Sequence, residues 1–186
     1  MTKKGFTLIE VLIAISLLAV ISLVSVAMVT NLVRSALKSQ ASIDIEQASS
    51  FVLLKMENDI EKAYYAEVTG GTSLTLQQGT PASPLYVVYA IVSGEGGLPN
   101  YITVKNNVGP VVKLTDDALD ASGNVNPSSV SVDLASSGFS LVSDAAGKPM
   151  AVNIALKFVK PTTATSTKVT QAEYLLDTTI VLRGAN

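Results

Sequence analysis

The chain has no histidine and no cysteine. That removes the commonest general base, the commonest transition-metal ligand, the thiolate nucleophile and any disulfide framework together. Oxygen chemistry remains, and two acidic features could carry it. Asp116, Asp117 and Asp120, with Asn124 close behind, cluster in the stretch DDALDASGN. Hard cations want such clustered oxygens, but the spacing matches no EF-hand. No base or positioning residue stands near these carboxylates in sequence, so they make no acid–base pair either. The stretch reads as a solvated loop, and we expect no metal, no cofactor and no catalytic residue.

The second feature is Glu10, the only charge between Phe6 and Val33. A carboxylate at mid-bilayer costs roughly 2.5 to 3.5 kcal/mol on insertion scales, and less near an interface. It therefore needs either a positive partner or a place at the membrane boundary. Capping the helix start and reaching the headgroups would meet the second requirement. Both readings stay open at this stage.

The element that must carry Glu10 is an apolar helix. Val11 to Val33 holds no charge at all, and a helix of that length spans about 35 Å, enough for the hydrocarbon layer. Lys3 and Lys4 ahead of it also suit a secretory signal, but the apolar run far exceeds the usual ~7 to 15 residues of a signal core. No small-x-small cleavage site followed by a break in composition closes it either.

Beyond Arg34 a helical period continues. Ala41, Ile45, Ala48, Val52, Met56, Ile60 and Ala63 recur at spacings of three and four, while Asp44, Glu46, Lys55, Asn58, Glu61 and Lys62 fall mostly elsewhere. No proline or glycine occurs from Phe6 to Ala66, so the spacing predicts one helix of about 60 residues, roughly 90 Å long. Thr69, Gly70 and Gly71 mark its end.

The apolar stripe of the second half needs a cover, and the remaining sequence offers strands. SLTLQQG, PLYVVYAIV, YITVKN, VVKL, SVSVDLA, FSLVS, MAVNIALKFVK and AEYLLDTTIVLRG are rich in β-branched and aromatic residues and are parted by Gly, Pro, Asn, Asp and Ser. Val152, Ile154, Leu156 and Phe158 alternate with Asn153, Ala155 and Lys157. A Thr-rich loop holding Pro161 then leads to the last run, which predicts a long-looped hairpin with one face on the helix. The expected fold is α+β, a long N-terminal helix packed on an antiparallel sheet, with the first half of the helix left bare.

The opening KKGFTLIEVLIAI resembles the prepilin signature of type IV pilins and type II secretion pseudopilins. A short basic leader ends in Gly5, Phe6 follows, a carboxylate stands at Glu10, and an unbroken apolar helix continues from it. The resemblance implies a leader at 1–5, a transmembrane and filament-core helix at 6–33, its amphipathic continuation at 34–66 and a β-rich head at 67–186. It implies that a prepilin peptidase cuts after Gly5, that Phe6 becomes an N-methylated terminus, and that Glu10 serves assembly by meeting a terminal amine. Gly5 has no side chain to obstruct a protease at the backbone. The amine released on Phe6 would lie four residues from Glu10, a helical spacing. Lys3 and Lys4 put the leader on the cytoplasmic side and the head outside, following the positive-inside tendency.

Within the family, LLKMENDIEKAYYA and the terminal YLLDTTIVLRGAN look like minor pilins and minor, J-type pseudopilins. The proline that major subunits commonly carry at the position of Ala27 is absent, as is a C-terminal cysteine pair. The expected function is a structural subunit that starts or builds a filament. A major pilin or a competence pseudopilin is the alternative, and a membrane-anchored enzyme or binding module a more remote one. The implied partners are other pilin or pseudopilin subunits, the peptidase, an inner-membrane assembly platform and the lipid bilayer. A net charge of -2 gives no basic face for a polyanion, so no nucleic acid is expected. Tyr86, Tyr89 and Tyr101 fall near one another in strand-like runs, as core residues or as anchors of an interface.

Overall fold

The computed structural model describes residues 7–94, 99–107, 109–115, 130–160 and 172–183. Gly5, Phe6, the acidic stretch from Asp116 to Asn124 and the Thr-rich loop after Lys160 lie outside the described residues.

Helix α1 runs from Leu8 to Glu61. Its period places Ala41, Ile45, Ser49, Val52, Met56, Asp59 and Ile60 on one buried face, as the spacing of three and four requires. Everything from Leu8 to Gln40 is exposed. The helix ends earlier than expected. Lys62 caps it, and strand β1 (Ala63–Thr69) begins at once. Ala63 and Ala66 do fall at helical spacing from Ile60, but Tyr64, Tyr65, Val68 and Thr69 are strand formers, and pairing with the next strand decides the outcome.

Strands β2 (Ser73–Thr80), β3 (Ser83–Val92), β4 (Tyr101–Asn106) and β5 (Val111–Lys113) continue from β1. Together they form a five-stranded antiparallel meander in the order β1-β2-β3-β4-β5. Beyond it lie β6 (Ser131–Val132), β7 (Gly138–Ser143), β8 (Pro149–Val159) and β9 (Glu173–Val181). In this second sheet the long β8 pairs with β6 and β7 and also with β9. The predicted final hairpin is present, with Ile154 opposite Thr178 and Leu156 opposite Leu176.

The alternation predicted in β8 sets its faces. Val152, Ile154, Leu156 and Phe158 are fully buried, with Leu176 and Ile180 of β9 beside them. Leu74 and Leu76 of β2, Tyr89 of β3 and Ile102 of β4 join Val52, Met56 and Ile60 of the helix in the same core. The two sheets meet where Phe139 N–H donates to the Gly71 carbonyl at 2.7 Å. A Cβ on Gly138 would stand 3.1 Å from that same oxygen, so a side chain there would press the carbonyl back by a few tenths of an ångström. Asn100 makes a second stitch, its side-chain amide donating to the Val132 carbonyl at 2.9 Å.

Candidate assembly site on the helix

Thr7 is the N-cap of α1, with extended backbone (φ -79°, ψ 151°). Its N–H donates to Glu10 Oε2 at 2.8 Å and its hydroxyl to the same oxygen at 3.0 Å. The Glu10 N–H in turn faces Thr7 Oγ1 at 3.4 Å. This is a capping box, in which Thr7 and Glu10 each satisfy a backbone donor of the other. The carboxylate also sits where the helix dipole favours negative charge. Both hydrogen bonds fall on Oε2, and Oε1 accepts none from the described residues.

Behind Glu10 the helix is clad in exposed apolar side chains from Leu8 to Leu37, with Leu8 85% and Leu23 73% exposed. Among the described residues this is the one helix long and apolar enough to cross a membrane. Its few hydroxyls are satisfied inside the helix. Ser16 donates to the Ile13 carbonyl, Ser22 to Leu18, Ser25 to Ile21 and Thr30 to Val26, each at 2.8 Å. From Val11 to Val33 each side-chain hydroxyl thus has a partner within the helix and needs none from lipid or from a helix bundle.

The apolar character does not stop where the head begins. Ile43, Phe51 and Leu54 are 43%, 56% and 68% exposed. At 3.6 residues per turn they fall on the side of α1 opposite Ile45, Val52 and Met56. The helix is thus apolar on two sides here, and the head covers only one.

Polar contacts fix how the helix seats. Asp44 receives the Lys160 ammonium on one oxygen and the Gln40 amide on the other, close to where α1 leaves the head. Lys160 holds the Asp44 carboxyl below the usual carboxylate range, chiefly through its hydrogen bond, against the opposing effect of partial burial. Near the other end Asp59, 6% exposed, accepts from Tyr89 Oη at 2.6 Å and pairs with Lys55 Nζ at 2.9 Å. Burial pushes the Tyr89 phenol up, and Asp59 adds to the shift. Lys55, Gln78, Leu85, Asn106 and Asn107 line a cleft of about 230 Å³ beside this pair.

Of the three tyrosines singled out in the sequence, Tyr89 is core. Lys113 Nζ lies 4.5 Å from the centre of the Tyr101 ring, and Tyr86 is 40% exposed. Tyr65 is 39% exposed and was hidden from sequence reasoning by its assignment to the helix. The seat formed by Asp59, Lys55 and Tyr89 was also missed, since an acid on a helix reads as a solvated face. The signal that could have found it was the helical period itself, since Asp59 stands three residues after Met56 and seven after Val52 on the buried side, whereas Glu61 falls on the opposite side.

The family model for the prokaryotic N-terminal methylation motif matches residues 1–26. The chain carries the type IV pilin and pseudopilin signature. Gly5, Phe6 and Glu10 all fall within the matched residues, and Glu10 is the one of the three whose geometry is described. The long apolar helix followed by antiparallel sheets is the type IV pilin-like architecture. No curated protein and no solved structure matches the chain. The pilin signature implies processing by prepilin peptidase and assembly with other pilin subunits in a membrane-associated machinery. As a family, pilins and pseudopilins are structural rather than catalytic.

Proposed function

We propose that this pilin-family chain is a minor subunit of a type IV pilus or type II secretion pseudopilus that helps to start or build the filament. The observation that carries this reading is the bare apolar half of α1 with an acid at its first turn, since so much exposed apolar surface must be covered by lipid or by other helices. Removal of residues 1–5 would leave 6–33 as membrane anchor and then filament core, with the rest of α1, to Glu61, docking a head that begins at β1. Lys3 and Lys4 support a cytoplasmic leader and an outward head. The minor assignment draws on the likeness of LLKMENDIEKAYYA and on a helix that runs unbroken past Ala27 without a proline.

Cleavage after Gly5 would give Phe6 a charged amine. Thr7 already engages Glu10 Oε2 from within the subunit, and Oε1 is the oxygen it does not use. We assign Oε1 to the amine of a neighbouring subunit, so that bringing the two charges together in lipid offsets the cost of each and sets the axial register.

The test combines processing and assembly. Mass spectrometry of the membrane-extracted protein is expected to find a mature N-terminus at methylated Phe6. An intact Met1 or a cut near residue 30 overturns the reading. Glu10→Leu is expected to insert and to be cleaved as the parent is, while its share in sheared filaments falls several-fold. Normal incorporation of that variant would remove the assembly role of Glu10.

A further inference from the structure

The helix lies against one face of the five-stranded sheet, because Tyr89, Leu74 and Leu76 point into the core and Tyr89 reaches Asp59 of α1. Alternation then puts the neighbours of those residues on the far face. There the register aligns Tyr65 of β1, Gln77 of β2 and Tyr86 of β3 in one row. A β-bulge between Ala63 and Tyr65 re-aims the chain. Tyr64 therefore joins this face as well, its hydroxyl donating to Gln77 Oε1 at 3.0 Å. The two exposed rings, Tyr65 and Tyr86, stand two strands apart. At the spacing of adjacent strands that is about 9.5 Å, close to the length of one disaccharide unit in an extended chain.

We propose that this outer face binds an uncharged, extended β-1,4-linked polysaccharide, with alternate sugars, one disaccharide unit apart, stacked on Tyr65 and Tyr86 and the Gln77 amide facing the sugar between them.

The chemistry of the row selects that partner. Tyrosine rings present a flat apolar surface with a polar rim, as a sugar does, and Gln77 is held by Tyr64 with its amide beside the rings. The row contains no ionic side chain. In the next row Glu67 and Lys105 supply one charge of each sign, so the face complements a neutral polymer better than a polyanion or a polycation. Tyr101 is outside the platform because Lys113 covers its ring. Display of this face toward the medium rests on the filament reading, since the helix on the opposite side would face the bundle. Binding by the isolated full chain does not rest on it, so the two readings fail separately.

The experiment is retention of the full-length chain, in detergent micelles, on microcrystalline cellulose and on chitin, followed by titration with the soluble hexasaccharide of whichever polymer retains it. The parent is expected to be retained on at least one polymer, and the two arms distinguish the sugar. Tyr65→Ala and Tyr86→Ala should each weaken binding about tenfold, and the double variant should abolish it with an unchanged circular dichroism spectrum. Tyr65→Phe and Tyr86→Phe keep the rings and should keep most of the affinity, which separates stacking from folding defects. Absence of retention on both polymers, or a folded double alanine variant that binds as the parent does, overturns the proposal. So does loss of self-association in the double variant without loss of polysaccharide binding, which would give the face to a second subunit.

Discussion

Asp44 is the residue whose chemistry shows most directly how the head grips its helix. The carboxylate accepts from Lys160 and from Gln40 on separate oxygens, so helix and final hairpin are joined near the first buried turn of α1. Its folded pKa lies below the ordinary 3.8, first because of the Lys160 hydrogen bond. A depressed carboxyl pKa contributes stability that is fully present above the unfolded value and is lost as the pH falls through the folded one. The loss should therefore fall below about pH 3.8, toward the depressed value. Urea midpoints of the head are expected to decline through that acid window in the parent and to decline less in Asp44→Asn, which is also weaker at neutral pH. An identical acid decline in both proteins would show that this pair contributes nothing. Lys157 sits in a looser arrangement with Glu173 at 3.1 Å and Asp133 at 3.7 Å, where solvent screens the charges and little stability is expected.

The helix and strands show which signals a sequence carries plainly. The buried face of α1 was legible because its period of three and four is set by helix geometry alone, and Ala41, Ile45, Val52, Met56 and Ile60 are buried where it placed them. The alternation of β8 was legible for the same reason. Strand β1 was not, because Ala63 and Ala66, three apart, fit the helical period and break strict alternation; they share a face in β1 only through the bulge between Ala63 and Tyr65, which forms on pairing with β2, a long-range event. The site divides in the same way. Glu10 was conspicuous as a charge among apolar residues, whereas its Thr7 partner is a commonplace N-cap and gave no signal of its own. The two apolar sides of α1 should respond differently to substitution. Met56→Ala, in the core, is expected to cost about 2 to 5 kcal/mol in urea denaturation. Phe51→Ser and Leu54→Ser, on the exposed side, should change head stability by about 0.5 kcal/mol or less and yet lower incorporation into filaments. Unfolding of the head by the serine variants, or their full incorporation, would remove this side from the assembly surface.

At the scale of the molecule, one core joins three layers of unequal independence. The helix half beyond the head relies on lipid or on other subunits, but the two sheets and the amphipathic half share a single cluster, with Val52 and Met56 in the same core as Leu76 and Phe158. A shared core makes unfolding of the head cooperative, and the seam between the sheets is where that cooperativity is most exposed. There Gly71, at φ 73°, presents its carbonyl to Phe139 N–H, and Gly138 leaves room for the approach. A methyl group at 138 would meet that oxygen at 3.1 Å, so the strands must separate slightly or lose the hydrogen bond, at a cost of about 1 to 3 kcal/mol. Gly138→Ala is therefore expected to lower the urea midpoint by the same amount whether β3 or β8 is followed by hydrogen exchange, because neither sheet retains its buried face without the other. If β8 loses protection in this variant while β3 keeps that of the parent, the sheets are separate folding units, and the helix is held by each alone.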